Sequence, residues 1–127
     1  MPPNCVNADS GRKNLSGSCH CGRIKFGLAG VPKDAIRCNC SICRRKGYLL
    51  AFTSSDAFRL RTPRDNITAY TFGKHAIRHQ FCKKCGCAPF GEGTGPDGSG
   101  VVFVNLNCVD DFDVSSCRVT EVDGASL

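Results

Sequence analysis

Seven cysteines fall into three groups at spacings that suit a metal ion. Cys19 and Cys21 form a C-x-C pair, Cys82 and Cys85 a C-x-x-C pair, and Cys38, Cys40 and Cys43 a C-x-C-x-x-C triplet. Zinc takes four ligands in a tetrahedron, with sulfur at about 2.3 Å. Two pairs therefore close a four-thiolate site, whereas the triplet leaves one position for a water, a substrate or a further side chain. Closed sites hold folds together and open sites carry chemistry. A zinc ion with an exchangeable ligand is a Lewis acid, and it can bind a thiolate or activate a bound hydroxyl.

The pairs predict a structural four-cysteine zinc on Cys19, Cys21, Cys82 and Cys85. Each pair is followed by a glycine (Gly22 and Gly86), which permits the positive φ of a turn wrapping a metal. The triplet predicts a catalytic-type zinc on Cys38, Cys40 and Cys43, with a water, a substrate, His20, His75, His79, Cys87 or Cys108 as candidates for the fourth ligand. Arg44, Arg45 and Lys46 follow the triplet directly. They form either a solvated basic turn or a docking patch for ligand carboxylates, which Arg grips in bidentate fashion. His79 precedes Cys82 on one face of its strand; packing or hydrogen bonding to a neighbour is the simpler role, and general base the other. Cys5 and Cys117 belong to no group.

Eleven cysteines without a secretory leader favour metal ligation over disulfides and a cytoplasmic location. No run of 18 apolar residues is present, so no membrane-spanning helix is expected. Up to Cys85 there are 16 Lys and Arg against 4 acidic residues; after it, 1 against 7. The basic half could serve nucleic acid, yet seven thiolates on two zinc ions lower the net charge from +6 to about +3, and Arg23, Lys25, Lys83 and Lys84 lie where they would screen them. The acidic second half argues against a nucleic-acid partner. A small-molecule thiol is the expected partner, for a monomer or a homodimer.

The elements that must position these groups read as short strands between turns. Residues 1–13 form a polar tail expected to be poorly ordered, and 14–127 a single zinc-binding domain. Strands are predicted at 14–19, 23–28, 35–38, 48–53, 58–61, 67–72, 76–81, 101–106 and 118–122, with one helical turn at Ser41–Lys46. The expected class is mainly β, of antiparallel strands with little helix. Five glycines in residues 91–100 argue against a strand there. That segment is expected to be a flexible hairpin connection or a flap over a ligand.

Residues 17–26 (GSCHCGRIKF), 38–47 (CNCSICRRKG), 79–86 (HQFCKKCG) and 104–110 (VNLNCVD) occur in this order. Together they resemble the glutathione-dependent formaldehyde-activating enzyme family, which includes centromere-protein-V-like proteins, over roughly residues 15–123. The resemblance implies a β-tent fold with two zinc ions on the two ligand sets named above. It also implies a carbon–sulfur lyase or synthase acting on S-hydroxymethylglutathione, formed from glutathione and formaldehyde. Glutathione carries carboxylates and a thiol, which is compatible with a metal beside Arg44, Arg45 and Lys46. The competing expectations are a zinc protein that binds a thiol without turnover and, by analogy with the centromere relative, a chromatin module.

Overall fold

The computed structural model describes residues 14–74, 76–95 and 97–126; the tail 1–13, with Cys5, and His75 lie outside them. Ten strands are present among the described residues: β1 (Asn14–Ser18), β2 (Lys25–Ala29), β3 (Asp34–Cys38), β4 (Leu50–Ser54), β5 (Phe58–Leu60), β6 (Ile67–Tyr70), β7 (Arg78–Cys82), β8 (Phe90–Thr94), β9 (Gly100–Asn105) and β10 (Arg118–Val122). One short helix, α1 (Ser41–Lys46), joins β3 to β4. The mainly β expectation holds. Among the described residues, no helix is long and apolar enough to cross a membrane.

The strands form two sheets, β1-β2-β5 and β10-β3-β4-β9-β8-β7-β6. The main core lies between them. Leu15, Phe26 and Leu28 of the small sheet pack with Ala51, Phe90, Val102 and Val104 of the large one. Side chains alternate across a pleated strand, so the intervening residues point to the other face of the large sheet. There Leu50 and Phe103 join Cys43, Tyr48 and Ala88 in a second cluster beneath α1. The triplet cysteines thus stand on a different face from the main core.

Among the described residues, all strand pairings are antiparallel except one. β10 runs parallel to β3, placing Val122 beside Cys38, with Arg118 paired to Asp34 at 2.9 Å and Arg37 to Glu121 at 2.8 Å. The antiparallel expectation is met by every other strand pairing, and this edge adds one parallel pair. The connection to β10 is long, and a long connection leaves either direction of pairing open.

The glycine-rich segment is also corrected, because its first half is strand β8. A row of partners crosses five strands in register: Phe52, Phe103, Gly91, His79 and Tyr70. A Cβ at Gly91 would run into the Phe103 ring. The missing side chain is thus filled by a neighbour's ring, and a strand survives where composition alone argues against one. The turn beyond it closes through Gly95 N–H to Ser99 O at 2.8 Å and Gly98 N–H to Gly95 O at 3.0 Å. Its tip lies at the Ser54 end of β4, the end away from α1. Its described residues do not cover the triplet.

Candidate metal centres

The first centre is built from two turns. Cys19 follows β1, and Cys21 lies in the turn to β2, closed by Cys19 N–H to Ile24 O at 3.0 Å and Gly22 N–H to Cys19 O at 3.2 Å. Cys82 ends β7, and Cys85 follows in a turn closed by Gly86 N–H to Cys82 O at 2.9 Å. Gly22 and Gly86 take φ values of 85° and 78°, as expected of residues leaving such turns. All four Sγ atoms lie within 4.8 Å of one another. Cys19 Sγ is 3.7 Å from Cys21 Sγ, which is 3.6 Å from Cys82 Sγ. A tetrahedron with zinc–sulfur bonds of about 2.3 Å has edges of about 3.8 Å, so donor type and spacing both fit a zinc ion.

Backbone amides complete this centre. Ile24 N–H points at Cys19 Sγ (3.3 Å), and the amides of Lys84 and Cys85 point at Cys82 Sγ (3.3 and 3.5 Å). Burial pushes the Cys19 thiol up to about 11, whereas the backbone and side chain of Arg23 hold the Cys21 thiol down to about 6. A divalent cation replaces the protons such a cluster shares. The pairs come from different sheets, so the ion would clamp the β1–β2 turn to the end of β7.

The second centre is local. Cys38 ends β3, Cys40 precedes α1 and Cys43 lies inside it, with Arg44 N–H donating to Cys40 O at 3.0 Å. Their three Sγ atoms also lie within 4.8 Å of one another, and no further His, Cys, Asp or Glu joins them among the described residues. Cys87, Cys108, His20 and His79 thus do not stand within that distance of all three sulfurs. Burial pushes the Cys43 thiol up to about 12; Cys40 stays below its usual range, since burial raises it but the Cys43 amide and the neighbouring thiols lower it further. Three cysteine sulfurs gathered where β3 leads into α1, with Cys43 buried, fit a soft divalent cation.

A cavity of about 230 Å³ opens on the triplet, lined by Arg37, Cys38, Asn39, Cys43, Arg44, Gly47, Tyr48 and Glu121. The three basic residues of α1 diverge. Arg44 lines this cavity. Arg45 donates to Ser41 O at 3.0 Å and, with Ser41, Ile42, Tyr70 and Phe72, lines a separate groove of about 310 Å³ on the other side of the helix. Lys46 places its Nζ 5.1 Å above the Phe81 ring. They do not form one patch.

His79 is only 4% exposed and lies in an aromatic stack between Tyr48 (ring centroids 6.1 Å apart) and Phe72 (5.7 Å). Its Nδ1 is 3.5 Å from Tyr48 Oη. Burial, then Lys46, lowers its basicity, and burial raises the Tyr48 phenol, so both rings are neutral at pH 7. His79 is absent from the cavity lining, and its packing role is the one its surroundings support.

Residues not singled out in the sequence complete the second site. Asn39 donates to Asp123 Oδ1 (3.0 Å) and accepts from Ala125 N–H (2.9 Å), and its own amide donates to Val122 O (3.1 Å). These bonds fold the turn Gly124–Ser126 against the triplet, and a Cβ on Gly124 would collide with Cys38 Sγ. Arg37 and Glu121 pair beside the cavity. Their only sequence signal is Asn39's position between two ligands; the rest depends on the β3–β10 pairing.

A family model described as glutathione-dependent formaldehyde-activating enzyme matches residues 14–121. The chain is also similar to the crystal structure of a protein from Rhodobacter sphaeroides, at 27% identity and a TM-score of 0.70, over 83% of this chain and 99% of that one.

Proposed function

The chain belongs to the glutathione-dependent formaldehyde-activating enzyme family, and on that premise we propose that it makes or breaks a carbon–sulfur bond in a glutathione-type thiol adduct such as S-hydroxymethylglutathione. One observation carries the reading: three thiols meet where β3 leads into α1, and two of them, Cys38 and Cys43, line a cavity rimmed by Arg37, Asn39, Arg44 and Glu121.

In the synthetic direction the thiol sulfur attacks the aldehyde carbon. A carbon–sulfur bond forms, the carbonyl π bond opens, and the thiol proton ends on the new hydroxyl oxygen. A zinc ion held by Cys38, Cys40 and Cys43 would supply Lewis acidity and a position for the thiolate. Arg44 offers a guanidinium to a ligand carboxylate, a geometry that favours two parallel hydrogen bonds. Arg37 is held by Glu121 and frames the opening. Asn39 fixes the loop between Cys38 and Cys40 through its three bonds to Val122, Asp123 and Ala125. Tyr48, 2% exposed, closes the floor against water from the sheet side.

The test uses the zinc-loaded protein. Calorimetric titration should detect glutathione binding, and adduct formation should exceed the uncatalysed rate. Absence of binding by both glutathione and its hydroxymethyl adduct sinks the proposal. A second reading, thiol binding without turnover, is favoured by a cavity lining that holds no histidine among the described residues. It requires binding to persist while the rate stays at the uncatalysed value.

A further inference from the structure

We propose that Cys87 and Cys108 form a thiol–disulfide exchange site whose oxidant is a low-molecular-weight disulfide. Their Sγ atoms are 3.7 Å apart, and both residues are partly exposed. Neither belongs to a metal-holding group, whereas the other described cysteines are accounted for: seven form the two centres, and Cys117 donates to Pro32 O at 3.0 Å.

The backbone on both sides is held. Cys87 O accepts from Cys82 N–H at 2.9 Å, immediately after the second metal-binding turn. Cys108 ends the 3-10 turn Leu106–Cys108; the next residue, Val109, bridges to Gly17, and its amide donates to Leu106 O at 3.2 Å. A disulfide needs about 2.05 Å between sulfurs. The remaining closure of about 1.7 Å lies within the sweep of side-chain torsions about Cα–Cβ, since staggered wells lie about 120° apart. Two sulfurs fixed in contact also act at high effective concentration, which favours the internal disulfide over a mixed one.

The exchange balances in two steps. One sulfur of the pair, as thiolate, attacks a sulfur of the small disulfide; a mixed disulfide forms, the small S–S bond breaks and one small thiol leaves. The second protein sulfur then attacks the first, forming the Cys87–Cys108 bond and expelling the other small thiol. The protein loses two electrons, the small disulfide gains them, and the two cysteine protons end on the released thiols. The bond would enclose the β8–β9 hairpin. It would also tie the second metal-binding turn to the segment whose Asn107 donates to Gly47 O at 3.3 Å beside the triplet cavity. The proposal does not depend on the reaction assigned to the triplet.

The test equilibrates the full, zinc-loaded chain in glutathione buffers of increasing oxidised fraction, quenches with acid, alkylates the remaining thiols and maps peptides by mass spectrometry. A peptide pair cross-linked through Cys87 and Cys108 should accumulate in one reversible transition, with the metal count unchanged. Cys108→Ser should trap one glutathione on Cys87, or Cys87→Ser one on Cys108, where the wild type traps none. The proposal is overturned if both cysteines stay alkylatable across the series, if wild-type protein carries glutathione on either without cross-linking, or if disulfides form only among the seven grouped cysteines as metal is lost. The wild-type map decides the matter even where a serine variant does not fold.

Discussion

Gly124 leaves no room for a side chain, because the atom that a larger residue would add falls on Cys38 Sγ, with Cys40 Cβ at 3.2 Å. The contact is with a sulfur of the triplet and with nothing in the four-cysteine centre. Gly124→Val should therefore lower zinc from two equivalents per chain toward one, with the sheets intact by circular dichroism. Metal analysis beside far-ultraviolet spectra checks this, and retention of both ions would show that the turn can move aside. The diverging arginines supply a second contrast. Hydrogen bonds to charged groups contribute about 1.5–3 kcal/mol, so Arg44→Ala should weaken glutathione binding roughly 10- to 100-fold. Arg45→Ala, whose side chain lines the opposite groove, should leave it within about twofold, since only contacts inside the cavity enter that sum. Equal losses in the two titrations would remove Arg44 from the binding site.

At the scale of elements, the aromatic row across β4, β9, β8, β7 and β6 explains both what could be read from the chain and what could not. β7 and β9 were legible because their own residues alternate or are β-branched, and Ser41–Lys46 because it must carry Cys43 back over Cys38 and Cys40. The ligand sets were legible for a related reason: each cysteine pair lies within one turn and the triplet spans six residues, so every group is local even though the two pairs meet only in the fold. β8 was not legible, since Gly91 and Gly93 carry no side-chain pattern, and the Phe103 ring that fills the gap comes from the next strand. The closure of the triplet by Asn39, Asp123 and Gly124 was hidden as well, because its hydrogen bonds join residues 84 and 86 apart in sequence. Gly91→Val tests this account of β8. Overpacking a filled site costs about 1–3 kcal/mol, so its urea midpoint should fall, and Phe103→Leu in the same chain should recover part of the loss. A double variant as unstable as the sum of the single ones would show that ring and glycine do not interact.

At the scale of the whole molecule, the two centres stand in different mechanical relations to the fold. The four-cysteine centre joins a turn of the small sheet to the last residue of β7 in the large one, across sixty intervening residues. The triplet bridges only the end of β3 and the start of α1. Structural zinc contributes about 10–16 kcal/mol to the folding of small zinc modules, comparable with the entire stability of a domain, about 5–15 kcal/mol. Losing the clamp should therefore undo the packing of the two sheets, with Phe26 and Leu28 drawn away from Phe90 and Val104. Losing the triplet ion should free one turn and the cavity while the main core, on the opposite face of the large sheet, persists. Cys82→Ser is expected to give a chain without a cooperative thermal transition. Cys43→Ser should hold one zinc, keep a cooperative transition and lose thiol binding. Stepwise chelation of the unmodified protein should reproduce that order, thiol binding disappearing with the first ion and the β signal with the second. If both signals vanish together, the triplet ion also holds the sheets together, and the separation of a structural from a chemical centre fails.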